Sequence, residues 1–419
     1  MRIHLSHWRI ASALVLALTL AACGATGPQS QAPAATAAPA PTQPAMANTA
    51  IPAATATSRP ATNPPAATAV PEPPSPEPIA LLPASKAWIR SGDTIFALGD
   101  KQRQLALRAP GFPAYRYSTA VAPDGSHIAY VNEHDQLTII DTSVGVLALP
   151  ESAGQTPMGY SFSPDGRALA ATFNDGQHWR LQVIDLQSRA TRTLQEGALF
   201  AQSSDSLPLA LMPIAWTPAG ILAQRILWAS DAPPQGLVLV SPTDGSTQEL
   251  RQEAHIQAAA APDGGRIAIV TGETPMEPDA QPTMEIRVLD ASGGNEQVIV
   301  PKKPGFVRDL RWSPDGAMLL YSASEKYDSQ AASVALIRAD GTNGQRIDFS
   351  IGGPNEMGLQ DLAWADSKTA LILLANAAAR IEVNALPVSS FDTNSLRLLD
   401  TLSGQPDVDH RIVYVPRGV

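Results

Sequence analysis

A short pattern recurs through the last four-fifths of the 419-residue sequence and leaves little freedom in how it folds. Gly159-Tyr160-Ser161-Phe162-Ser163-Pro164-Asp165-Gly166 precedes the apolar run Ala168–Phe173, and Asp309-Leu310-Arg311-Trp312-Ser313-Pro314-Asp315-Gly316 precedes Ala317–Tyr321. Ala260-Ala261-Pro262-Asp263-Gly264 and Val121-Ala122-Pro123-Asp124-Gly125 are followed by Arg266–Val270 and His127–Val131. Ile214-Ala215-Trp216-Thr217-Pro218-Ala219-Gly220 and Leu362-Ala363-Trp364-Ala365-Asp366-Ser367 are degenerate copies. Successive copies lie about 41 to 54 residues apart, the size of one four-stranded propeller blade.

The residue types fit the geometry. Ser, Pro and Gly at the first, second and fourth places suit a type I turn, with proline presetting φ and Ser or Asp capping the backbone. Two places before each proline, or its equivalent, stands Val121, Phe162, Trp216, Ala260, Trp312 or Trp364. Most are aromatic, and a bulky wedge between neighbouring blades is the expected role. Third strands such as Leu181–Ile184, Leu237–Val240, Ile286–Leu289 and Val334–Ile337 each precede a polar turn, and a last strand such as Thr191–Leu194 follows. Alternating strands and turns without helical periodicity read as all-β.

The ends complete the count. Lys86–Arg108 carries the later strands of a blade with no turn motif before them, and Arg411–Val415 is a lone final strand. If that strand becomes the innermost of the first blade, the ring closes and its edges vanish. Six internal repeats plus this composite blade give a seven-bladed β-propeller over residues 84–419; an irregular first segment would leave six.

The repeat resembles the Pro-Asp-Gly, WD40-like type of propeller of TolB-like periplasmic proteins and of prolyl oligopeptidase-type peptidases. The likeness covers about Ala84–Val419 and implies fold rather than activity, since propellers host many chemistries. No helical segment here could supply the hydrolase domain of the peptidases. In place of TolB's extra amino-terminal domain stands a low-complexity segment.

That segment and what precedes it read as export and tethering. Met1–Arg9 is basic, and the uncharged run Ile10–Leu20 has the length of a signal h-region, too short for a permanent span. Leu20-Ala21-Ala22-Cys23-Gly24 resembles the lipobox of bacterial lipoproteins, and Cys23 is the sole cysteine. The resemblance implies a signal peptide over 1–22, a diacylglyceryl group on the Cys23 thiol and often a further acyl chain on the freed amine, holding the protein on a membrane. Residues 23–83 are largely Ala, Pro, Thr, Ser, Gln and Asn, with Arg59, Glu72 and Glu77 their only charges; such a stretch is expected to be a disordered, extended tether. One cysteine excludes internal disulfides. Removing Arg2 and Arg9 takes the net charge from −10 to about −12, which argues against nucleic acid as partner.

A search for catalytic motifs gives little. Gly159-Tyr160-Ser161-Phe162-Ser163 begins like a nucleophile elbow but lacks its last glycine. His127, His134, His178, His255 and His410 are scattered, with no pair at metal-ligand spacing, and Asp124, Asp165, Asp263 and Asp315 are turn residues by position. No cofactor and no metal is expected.

Blade geometry places the Pro-Asp-Gly turns on one rim and the irregular connections on the other: Gln195–Leu211, Ala229–Gln235, Gly272–Thr283, Glu325–Ala332 and Gly352–Leu359. Elaborated loops on a rigid scaffold are where binding usually resides. Within or beside them Trp228, Met276, Lys326 and Tyr327 are the candidate partner-binding residues, with Phe200 nearby. The expected function is a membrane-anchored, non-catalytic scaffold for an envelope protein or peptide, on the periplasmic or cell-surface side. The alternative is an enzyme with its site in the propeller channel, such as a metal-dependent lactonase or lyase.

Overall fold

The computed structural model describes residues 82, 84–107, 119–147, 155–200, 208–228, 232–273, 281–325, 332–349, 357–378, 380–404 and 410–416. Seven antiparallel sheets of four strands follow one another in sequence. Blade two spans Ala120–Val121 to Gly145–Leu147, blade three Thr156–Phe162 to Thr191–Ala198, and blade four Leu209–Thr217 to Thr247–Arg251. Blade five runs from Gln257–Ala260 to Gln297–Pro304, blade six from Phe306–Trp312 to Gln345–Phe349, and blade seven from Gly358–Asp366 to Arg397–Ser403. Among the described residues there is no α-helix, only two 3-10 turns at Val388–Ser390 and Thr393–Ser395.

Blade one is the composite that the ends of the sequence predict. Its innermost strand, His410–Tyr414, pairs antiparallel with Trp88–Ser91, and Thr94–Ala97 and Asp100–Ala106 follow outward. Seven blades, rather than six, result. Tyr414 stacks on Trp88 with ring centroids 4.5 Å apart, and its hydroxyl donates to the Ala84 carbonyl. Leu82, at the end of the segment expected to be tether, is buried in the same cluster as Trp88 and Tyr414. Residues 1–81, with Cys23, lie outside the described residues.

The turn motif explains itself in hydrogen bonds. The Gly166 N–H donates to the Ser163 carbonyl at 2.9 Å, and Gly166 takes φ +73°, which only glycine adopts without strain. The Ser163 hydroxyl donates to Asp165 at 2.6 Å and accepts from the Ala168 N–H at 2.9 Å. Blade six repeats this closely: Ser313 donates to Asp315 at 2.6 Å and accepts from Met318 N–H at 2.9 Å.

The wedges work as expected and add a polar handle. Phe162, Trp312 and Trp364 are buried between blades, where an apolar side chain of this size contributes about 2–3 kcal/mol. The Trp312 indole N–H donates to the Ala259 carbonyl at 2.9 Å, and Trp364 repeats the bond to Arg311 one blade on. Arg266 lies over the Trp312 ring and donates to the Gly316 carbonyl at 2.6 Å, tying blade five to the turn of blade six.

A second set of ties runs around the outside. Gln195, Gln248 and Gln297, on the outermost strands of blades three, four and five, donate to Gly245, Ser292 and Asp340 carbonyls in the next blade's third turn. Gly245 and Gly293 let these turns approach: a Cβ would stand 2.3 Å from the Leu194 oxygen and 2.6 Å from the Leu250 oxygen. The outer strands also run further than the sequence pattern suggests. Blade three ends at Ala198 and blade four starts at Leu209, so the connection read as Gln195–Leu211 is shorter than expected.

Candidate functional site

The innermost strands of a propeller surround its channel. On three consecutive ones, in blades six, seven and one, a compact charged cluster forms. Asp309 stands three residues before the Trp312 wedge and is paired across the blade with Ser322; Asp361 stands three before Trp364 and is paired with Leu373. Arg411 comes from the closing strand.

Asp309 accepts from the Ser322 hydroxyl at 3.1 Å and from Arg411 Nη1 at 3.0 Å. Asp361 accepts the Ile412 N–H at 2.8 Å through Oδ2, and its Oδ1 lies 3.6 Å from Arg411 Nη1 and 3.7 Å from Arg311 Nη2. Arg311 Nη2 is also 3.7 Å from Asp309. The carboxylate side chains are only 8% and 1% exposed, whereas the two arginines are 42% and 39% exposed. Buried acids therefore sit behind half-exposed guanidinium groups.

Burial pushes the Asp361 carboxyl up, to about 6; Asp309 beside it acts the same way, while Arg311, Arg411 and the Ile412 N–H oppose. Two carboxylates so close favour sharing charge, and the arginines offset the cost of keeping both ionised. The arrangement locks the closing strand to blades six and seven.

The four turn aspartates are hydrogen-bond hubs, as their positions imply. The Ser163 hydroxyl and the Arg167 N–H hold the Asp165 carboxyl below the usual range. Asp124 and Asp315 are also held low: burial opposes, but Ser126 and Ser313 donate to them. Among the described residues, no group of three or more His, Cys, Asp or Glu is placed to hold a metal ion. His255 is buried, and burial followed by the Arg251 charge lowers it to about 4.

Of the candidate partner-binding residues, Trp228 follows the strand Gly220–Leu227 and is half-buried against the blade three–four core with Leu199, Ala210 and Val238. Phe200 is 56% exposed at the end of blade three. Met276, Lys326 and Tyr327 lie outside the described residues, so the structure does not bring the set together. The channel cluster is the feature sequence reasoning missed. Its signal is Asp-Leu-x-Trp at the same offset in two adjacent repeats, Asp309–Trp312 and Asp361–Trp364.

No protein-family model matches the sequence, and no curated protein matches it significantly. Solved structures with similar folds include TolB from Acinetobacter baumannii, 19% identical with a TM-score of 0.40. That match covers 62% of each chain, so this chain spans less than two thirds of the TolB length. An oligogalacturonate lyase in complex with manganese is 14% identical, TM-score 0.46, covering 68% of this chain and 75% of the lyase. The Swd1 β-propeller domain of Myceliophteria thermophila is 15% identical, TM-score 0.45, covering 71% and 89%. These are likenesses of fold. The class is a closed seven-bladed β-propeller with Pro-Asp-Gly turns, and it rests on the seven sheets themselves.

Proposed function

We propose that this protein is an exported lipoprotein, lipidated on Cys23, whose propeller binds an envelope protein or peptide without catalysing a reaction. One observation carries the binding part: the two rims of the propeller are built differently. On the turn rim the first hairpins of blades two, three, five and six share one tight Pro-Asp-Gly turn. On the other rim the connections from Ala198 to Leu209, Thr271 to Thr283 and Ser324 to Ala332 are long, and long loops on a rigid frame favour recognition. The acids of the channel pair with arginines of neighbouring blades, which supports a structural rather than a catalytic role for them.

The membrane part rests on the sequence: a basic start, an apolar run of signal length and a single cysteine at its end. The decisive experiment combines both parts. Cells expressing the full chain are fed an alkyne fatty acid, and the protein is then purified from solubilised envelopes with whatever accompanies it. Label on the protein that disappears with Cys23→Ser establishes the anchor. A discrete partner lost with Trp228→Ala and Tyr327→Ala establishes the binding rim, and retention of that partner by both variants rejects it.

The channel-enzyme reading has one observation in its favour, the raised Asp361 beside two half-exposed arginines, since perturbed carboxyls gather at active sites. It predicts turnover of a model lactone or uronide that Asp361→Asn abolishes.

A further inference from the structure

Between blades five and six lies a small cleft, with room of about 40 Å³ for water-sized groups, open to solvent. Its floor includes Met284, fully buried, and the small side chains of Ala323 and Ala335. Two cations border it from opposite blades: Lys303, on the outermost strand of blade five, and Arg346, on that of blade six.

Their partners differ. Arg346 Nε donates to its neighbour Asp348 at 2.7 Å. Lys303 is half-buried and forms no ion pair with any described residue, although the adjacent, exposed Lys302 pairs with Glu273 at 2.8 Å. The exposed Glu325 also borders the cleft but stands beyond ion-pair distance of Lys303. Tyr321 is buried to 5% exposure, lines the same recess, and its hydroxyl has no hydrogen-bond partner among the described residues. Ser333 donates to the Ala323 carbonyl at 3.2 Å and keeps a lone pair rather than a donor for the cleft.

Sequestering an unpaired ammonium costs free energy, and a second like charge across the cleft adds to it. Among the described residues, the only carboxylate bordering the cleft is Glu325, and it forms no ion pair with Lys303. We propose that this cleft is a binding site for a single carboxylate, with Lys303 as its counter-charge, the Tyr321 hydroxyl as a hydrogen-bond donor and Arg346 deepening the positive potential. The electrostatics agree: burial, and then the Arg346 charge, hold the Lys303 ammonium below the ordinary lysine range. Burial pushes the Tyr321 phenol up, so it remains a donor. The site requires no assumption about the protein partner or the membrane anchor. The carboxylate belongs either to a small solute or to an acidic side chain of a peptide.

The test follows the Lys303 side-chain signal in the full chain, with lysine labelled at Cε, by NMR. Glutarate and an end-capped peptide holding one Glu are added separately, against chloride at constant ionic strength. Glutarate is expected to shift the Lys303 signal saturably, raise its titration midpoint and raise the thermal midpoint. Lys303→Met abolishes all three effects while melting higher than the parent without ligand, because it removes a half-buried charge with no ion-pair partner among the described residues. Tyr321→Phe keeps the fold and weakens binding severalfold. A peptide that binds about tenfold tighter than glutarate identifies a polypeptide source, and equal binding identifies the small solute. A shift that never saturates, or the same stabilisation in Lys303→Met, overturns the proposal.

Discussion

Among the described residues, the innermost strands of blades six, seven and one carry charged side chains and those of blades two to five do not, although all are built from the same repeat. Three residues before the wedge, blade three has Gly159, blade five Gln257, blade six Asp309 and blade seven Asp361. At Gly159 a Cβ would stand 2.5 Å from Met212 Cγ of the next blade, so the seam closes by contact of apolar groups. At Asp309 and Asp361 the seam closes through Arg311 and Arg411. Blades three and four are joined by continuous chain. Blade one is closed by a strand from the opposite end of the sequence, and there the ion pairs sit. The repeat sets the architecture; the charges register the one strand that must find its place from more than 300 residues away.

The comparison breaks if the two halves are interchangeable. Gly159→Asp places the carboxylate of blades six and seven in blade three, where Met212 and the Pro213 carbonyl are the nearest described groups. Overpacking and a buried charge together cost about 5 kcal/mol, read as a lost or much lowered urea midpoint. A loss below about 1 kcal/mol would show that the glycine is incidental. Arg411→Met tests the other half. It leaves Asp309 and Asp361 with Arg311 alone and costs about 3 kcal/mol, with amide exchange of the closing strand His410–Tyr414 accelerating more than that of blade three. Equal acceleration everywhere would mean the cluster does not register the closure.

Acidity separates the buried groups more gently. Asp361 is raised to about 6, above its value in the unfolded chain, so the native state holds the proton more tightly and stability falls as pH rises from about 4 to 6. His255 is lowered to about 4, so its contribution is complete above about 6.5 and is lost as pH falls toward 4. The two slopes oppose each other in one window. Asp361→Asn is expected to expose the histidine slope, a loss of about 2 kcal/mol on acidification from pH 6.5 to 4. His255→Gln exposes the opposite slope. Asp124, Asp165 and Asp315, held low by hydrogen bonds from Ser126, Ser163 and Ser313, act only below this window. Parallel pH profiles for both variants would refute the assignment.

How far each part was legible follows from the range of its interactions. The turns are local: Ser163, Asp165 and Gly166 satisfy one another within a few residues, so the motif alone defines them. The wedges and the closing strand follow from applying one blade pattern throughout, including its missing first strand. The glutamine ties are regular, but Gln195, Gln248 and Gln297 are unremarkable polar residues until the next blade's turn stands opposite them. The channel cluster joins residues 51 and 102 positions apart, and only the ring brings them together. Lys303 and Arg346 carry no motif at all. The signal is that Lys303 has no counter-ion among the described residues, a property of the folded chain.

The smallest expected effect concerns Thr172, paired across blade three with Gly159. Its hydroxyl is fully buried and donates to the Leu211 carbonyl of the next blade at 2.5 Å. In blade six the equivalent Ser322 donates instead to Asp309, which goes on to meet Arg411. Thr172→Val keeps the shape, removes the donor and leaves one buried carbonyl without that bond, at a cost of about 1 kcal/mol. Ser322→Ala removes a donor from a carboxylate that still has an arginine, so its stability loss is expected to be salt-dependent, while that of Thr172→Val is not. Stability measured at low and high salt for both variants distinguishes a seam held by a neutral hydrogen bond from one held by charge. If both losses respond alike, the hydroxyls of the two half-walls serve the same end, and the difference between the halves resides in the arginines alone.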